Sequence, residues 1–134
     1  MKNPSWLNAG TGLFILRIGV GVLFLVHGIA KFSDISGTAG FFGMIGLPAF
    51  MAYVIAFIET VGGIALILGV YTRIASVLLA AVMIGAYFSV KLGKPFMGGW
   101  ELDFILFMAS VTILASGPGS WALKKRATQS SPVL

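Results

Sequence analysis

The sequence predicts an all-α protein: a bundle of four transmembrane helices with both termini in the cytoplasm. Three observations lead there. The 134 residues are 58% hydrophobic and 10% charged, with a mean hydropathy of +1.02, whereas a soluble domain carries about a quarter charged residues to cover its exterior. Apolar stretches fill the chain, and at about 20 residues per span four of them leave no room for a separate catalytic domain. The nine lysines and arginines are scattered, most of them over the ends of those stretches. They form no basic stripe with interleaved aromatics, so they read as topology signals and not as a nucleic-acid surface.

The first span is expected over residues 12–32. It lacks a small-x-small cleavage site and further spans follow it, so it is a signal-anchor helix. Ser33 to Leu47 mixes turn residues with an apolar stretch too short to cross. It is placed at the membrane surface, with a short interfacial helix around Phe41 to Ile45. Pro48 suits the opening turn of the second span, residues 48–69, because its missing N–H would be unpaired there anyway. Gly69 can end that helix and Thr72 can cap the third, residues 73–90, making the two antiparallel neighbours. Lys91 to Trp100 reads as a loop by its glycine and proline content. The fourth span, residues 101–116, stops at Gly117-Pro118-Gly119. Residues 1–123 form one membrane domain, and the polar tail 124–134 is expected to be flexible. In this layout Lys2, Arg73, Lys124, Lys125 and Arg126 share one side. On the other, Lys31, Lys91 and Lys94 are offset by Asp34, Glu101 and Asp103, and the positive-inside rule puts the termini in the cytoplasm.

Ionisable residues inside spans carry the functional signal, because a charge at the bilayer centre costs about 2.5–3.5 kcal/mol on insertion scales. Glu59 lies midway along the second span, and Ala52, Ala56, Gly62, Gly63 and Leu66 share its side of the helix. Small residues mark faces where helices approach closely. Arg17 heads a similar stripe with Leu13, Gly21, Phe24, Gly28 and Lys31. At about 1.5 Å per residue, Arg17 lies about 8 Å and Glu59 about 16 Å inside the cytoplasmic end. An extended arginine spans that difference, so Arg17 and Glu59 are expected to form a buried ion pair. Such a pair either fixes helix register and nothing else or serves binding or proton movement, and the residues leave both open. Near the opposite face, His27, Lys31, Glu101 and Asp103 form a second group able to handle a proton or grip a carbonyl. The two acids also suit a helix N-terminus through its dipole. No metal is expected, since the spacing matches no ligand pattern, and cysteine is absent altogether. There is no phosphate-cradling loop, no histidine pair for haem or zinc and no nucleophile elbow.

Four segments, LRIGVGVLFLVHGIAKF (Leu16 to Phe32), GLPAF (Gly46 to Phe50), ETVGGIALILGVYTR (Glu59 to Arg73) and GPGSWAL (Gly117 to Leu123), together resemble the DoxX family of small membrane proteins. The resemblance covers nearly the whole chain. It implies a four-helix fold in the cytoplasmic membrane of a bacterium or archaeon. It also implies association with redox processes, such as terminal quinol oxidation, thiosulfate–quinone oxidoreduction or oxidative-stress defence.

The expected function is therefore an accessory subunit of a membrane redox system, offering a quinone or quinol site between helices. The bundle would hold the isoprenoid tail, and His27 or Glu59 would contact a ring oxygen. Electrons would come from a redox-enzyme partner. Two rivals remain: a scaffold or assembly factor docking membrane-protein partners or a second copy of the chain through its small-residue faces, and a small transporter or permeability factor in which Glu59 titrates. Membrane lipids are partners under every reading.

Overall fold

Asn8 opens the first helix, its side-chain oxygen accepting from the Thr11 N–H at 3.0 Å, so the helix starts at a polar cap three residues before the apolar run suggests. A computed structural model describes residues 3–123; the expected tail 124–134 lies outside the described residues. Helix α1 is Ala9–Ser33. Asp34 ends it and caps the next, accepting from the Gly37 N–H at 3.1 Å. The interfacial helix α2, Ile35–Met44, is longer than expected and buries Phe42 alone. Helix α3 is Phe50–Leu68, with the Pro48 carbonyl accepting from the Met51 N–H at 3.0 Å in its entering turn.

Gly69 ends α3 in the left-handed region at φ +73°, and the Gly69 and Val70 N–H groups both return to the Ala65 carbonyl, at 2.9 and 3.0 Å. That is a glycine C-cap, and only the three residues Gly69 to Tyr71 separate this helix from the next. Helix α4, Thr72–Ala86, takes Thr72 as its first helical residue and not as its cap. It continues through wider, π-type turns over Tyr87–Lys91. A turn at Phe96–Trp100 leads into α5, Glu101–Ser116. Among the described residues there are four helical stretches long and apolar enough to span: Ala9–Ser33, Phe50–Leu68, Thr72–Lys91 and Phe96–Ser116. No strand is present among them.

The bundle is α1 against α3, α3 against α4 and α4 against α5, with α1 and α5 closing the ring and α2 lying on α3. The two faces marked by small residues are the ones that meet: Arg17, Gly21, Phe24 and Gly28 of α1 are buried, as are Ala52, Ala56, Glu59, Gly62, Gly63 and Leu66 of α3. The approach is backbone to backbone. A Cβ added at Gly28 would stand 2.6 Å from the Thr60 nitrogen, and one at Gly63 would stand 2.6 Å from the Leu25 nitrogen. Such contacts supply association where lipid removes the hydrophobic driving force between helices. Phe24, Leu66, Leu79 and Ile113 fill the centre, while Ile15, Val26, Val54, Phe57 and Val61 are exposed to lipid.

Both described ends lie at the same end of the bundle. The Ser120 N–H donates to the Gly10 carbonyl at 3.0 Å, and the Leu123 N–H to the Leu68 carbonyl at 3.1 Å. Residues 117–123 thus strap the terminal end, and the polar residues of the second group gather at the opposite one.

Candidate functional site

Glu59 is paired, but with Lys31 and not with Arg17. Lys31 Nζ donates to Glu59 Oε2 at 2.7 Å, and the two side chains are 24% and 4% exposed. The expected Arg17–Glu59 pair is corrected by register and by direction. Gly28 lies against Ala56 and Thr60, and Gly21 against Gly63 and Ile67, so Glu59 is level with Gly28. Arg17 is three turns further down α1, about 16 Å away at 1.5 Å per residue. Helical side chains also lean toward their own N-terminus. In α1 this carries Arg17 toward the strapped end and brings Lys31 back into the bundle. In the antiparallel α3 it tilts Glu59 up to meet Lys31.

Arg17 instead holds the strap. It is fully buried, and its Nη2 donates to the Ser120 and Trp121 carbonyls at 3.3 and 3.4 Å. The guanidinium stands over the Phe14 ring at 5.5 Å and packs on Gly69, next to the C-terminal end of α3, where the helix dipole favours a cation. Arg17→Met is expected to cost about 1.5–3 kcal/mol, the range for hydrogen bonds made by charged groups. Thermal unfolding in detergent will read this, together with faster proteolysis around residues 117–123.

The Lys31–Glu59 pair faces a cavity of about 440 Å³. Phe24 and His27 of α1, Phe42 of α2, Ile55 and Ile58 of α3, Val82 and Ala86 of α4, and Asp103 and Leu106 of α5 surround it. The walls are apolar apart from a handful of groups, the usual make-up of a small-molecule site. His27 is exposed and lines the cavity, and it makes no hydrogen bond with any described residue. Asp103 is also on the wall, with Oδ2 at 3.7 Å from Lys91 Nζ. Glu101 is elsewhere. Its Oε2 accepts from the Gly98 N–H at 2.8 Å and fixes the turn before α5. Of the six residues singled out from the sequence, the structure brings His27, Lys31, Glu59 and Asp103 to one cavity and leaves Arg17 and Glu101 in local structural roles.

The profile of the DoxX family matches residues 12–92, more than half of the chain. The chain belongs to the DoxX family. Among its relatives is a Bacillus subtilis protein named "Putative oxidoreductase CatD", 48% identical over 84% of each chain. A Mycobacterium tuberculosis protein described as an uncharacterised membrane protein is 34% identical, covering 92% of this chain and 88% of its own. The Escherichia coli inner membrane protein YqjF is 26% identical over 85% and 90%. No solved structure matches significantly. With its four spans and its inner-membrane relatives, this DoxX chain is a multi-pass protein of the bacterial inner membrane.

Two features of the DoxX site were missed in the sequence. One is the contribution of α2, whose Phe41 and Phe42 cover the cavity. It was invisible because the packing of an interfacial helix leaves no periodic trace in ten residues. The other is Lys31 as the partner of Glu59. Its signal was present, since Lys31 lies on the same stripe as Arg17 and leans the right way.

Proposed function

We propose that this DoxX protein is an accessory subunit of a membrane redox system and that it binds a quinone or quinol in the cavity beside Lys31 and Glu59. One observation carries the reading: an apolar cavity of about 440 Å³ with a cation held at its wall by a buried carboxylate. Lys31 and His27 supply hydrogen-bond donors for a ring oxygen. Glu59 holds Lys31 in place. The apolar walls suit an isoprenoid tail and keep water from the polar corner, where hydrogen bonds gain strength in the low local dielectric. The oxidoreductase name of the Bacillus subtilis relative agrees with a redox setting. A quinone supplies two-electron chemistry, and the chain's own residues bind it, orient it and exclude water.

The test is mild extraction from native membranes into lipid nanodiscs, followed by mass spectrometry of co-purifying quinones and proteins. A stoichiometric quinone is expected with the native sequence. It should be lost with Ala86→Phe, which fills the cavity, and with Lys31→Met. A stoichiometric protein partner without any quinone would replace this reading with a scaffold.

A further inference from the structure

The cavity beside Lys31 and Glu59 has a rim, and its residues show which solvent it meets. Near the turn that joins them, α3 and α4 pack closely: a Cβ added at Gly62 would stand 3.2 Å from Leu79 Cδ2, and both residues are buried. Further from the turn, Val54, Ile55 and Ile58 on α3 and Leu78, Ala81 and Gly85 on α4 line the cavity. Several of these also reach the outside. Val54 and Leu78 are 40% and 42% exposed, and Ala81 and Gly85 are exposed as well. Nothing lies within 4 Å of a Cβ added at Gly85, so no neighbouring helix covers it. Residues that line the cavity and meet the surroundings at once mark an opening between α3 and α4.

That opening lies at the depth of hydrocarbon. Ala81 stands at the middle of the stretch Thr72–Lys91, Gly85 one turn nearer its end, and Val54 inside Phe50–Leu68. None of the four rim residues has a polar side chain, so the opening faces acyl chains and not water. At the membrane surface, Phe41 and Phe42 of α2 lie over the cavity. On the far side, the lining residues that α1 and α5 expose are His27 and Leu102, both large. Size points the same way. A cavity of about 440 Å³ suits a drug-sized molecule, enough for a substituted ring but not for a ring and a long polyisoprenoid chain together. Leaving the chain in lipid costs little, because lipid tails are as apolar as leucine, whereas a route through water would expose all of it.

We infer that the gap between α3 and α4 is a lateral portal: the ligand enters from the bilayer, sets its ring against Lys31 and leaves its tail in lipid between Val54 and Gly85. Because Glu59 already matches the charge of Lys31, the ring that fits is a neutral one offering an acceptor oxygen. The ligand class narrows to a membrane-dissolved lipid with a compact neutral ring and a linear tail. The ring rests on the proposed function; the route and the place of the tail go beyond it.

The probe is decylbenzoquinone carrying a diazirine on its tail, photolysed with the native protein in nanodiscs, and the labelled residues are read by mass spectrometry. Only labelling that excess unmodified decylbenzoquinone removes is counted, which sets aside random contact with lipid-facing residues. Such labelling is expected at Val54, Leu78, Ala81 or Gly85. Competed labelling at His27 and Leu102, or at Phe41, would overturn the portal and leave the cavity reading standing. No competed labelling anywhere would remove both. A second measurement compares the tailed quinone with tailless duroquinone by calorimetric titration of nanodiscs. Gly85→Phe places a ring where the tail would lie, so decylbenzoquinone should bind about tenfold more weakly, the low end of what overpacking costs, and duroquinone should be unchanged. Ala86→Phe, which fills the cavity, should lose both. Equal losses of the two quinones in Gly85→Phe would make this stretch an ordinary cavity wall and overturn the inference, as would no loss of either. Photolabelling of the native chain needs no substitution, so it decides the matter even if Gly85→Phe fails to fold.

Discussion

Lys31→Met is expected to be the most damaging single change at the candidate site, at about 3–5 kcal/mol, the cost of leaving one member of a buried ion pair without its partner. The two halves of the pair are not equivalent. Glu59 has a side chain 4% exposed and Lys31 one 24% exposed. Without Lys31, the Glu59 carboxylate is left buried with no counter-charge. Without Glu59, the lysine can extend along its flexible stem toward the membrane surface, so Glu59→Leu should cost less than half as much. Combining Lys31→Met with Glu59→Leu should recover most of the stability, because apolar replacements of a buried pair are often neutral or better. Thermal unfolding in detergent, measured on all three variants, checks the order. The double variant also separates structure from function: it should fold and yet lose the co-purifying quinone. If it folds and retains the quinone, the pair serves only the bundle.

Gly28→Leu should prevent the native bundle from forming, and Gly28→Ala should lie at or above the upper end of the range of about 1–3 kcal/mol for overpacking. The added Cβ meets the Thr60 nitrogen at 2.6 Å and the Ala56 carbonyl oxygen at 3.0 Å. Both are backbone atoms of α3 and cannot rotate away, so α1 must move off α3. That movement also separates Lys31 from Glu59, and stability and ligand binding fall together. Gly19 is the control. Nothing lies within 4 Å of a Cβ added there, and Gly19→Ala is expected to stay within about 0.5 kcal/mol of the native protein. Monodispersity after extraction and the unfolding midpoint of each variant report the difference. Equal effects at the two positions would mean that the α1–α3 contact is not made through Gly28.

Much of this architecture was legible before any coordinates. The α1 face bearing Arg17, Gly21, Phe24 and Gly28 and the α3 face bearing Ala52, Ala56, Glu59, Gly62, Gly63 and Leu66 are buried as expected. Those assignments need only the 3.6-residue period and the cost of placing charge in hydrocarbon. Helix α1 begins at Ala9, ahead of the expected residue 12, because a polar N-cap is not part of an apolar run. The partner of Glu59 is a different kind of question. It depends on how far α1 slides along α3, and neither helix carries that information in its own periodicity.

By itself, then, the sequence determined the number of spans, the family, the membrane setting and the inward faces of Arg17 and Glu59. All are consequences of local composition and helical repeat. Only the tertiary structure decided that Lys31 and not Arg17 meets Glu59, that Arg17 fastens the terminal strap, and that Asp103 but not Glu101 borders the cavity. The physical reason is that ion pairing and cavity shape fall off within a few ångströms. They follow from the axial register that the glycine contacts impose between α1 and α3 and from the lean of side chains toward each helix's N-terminus.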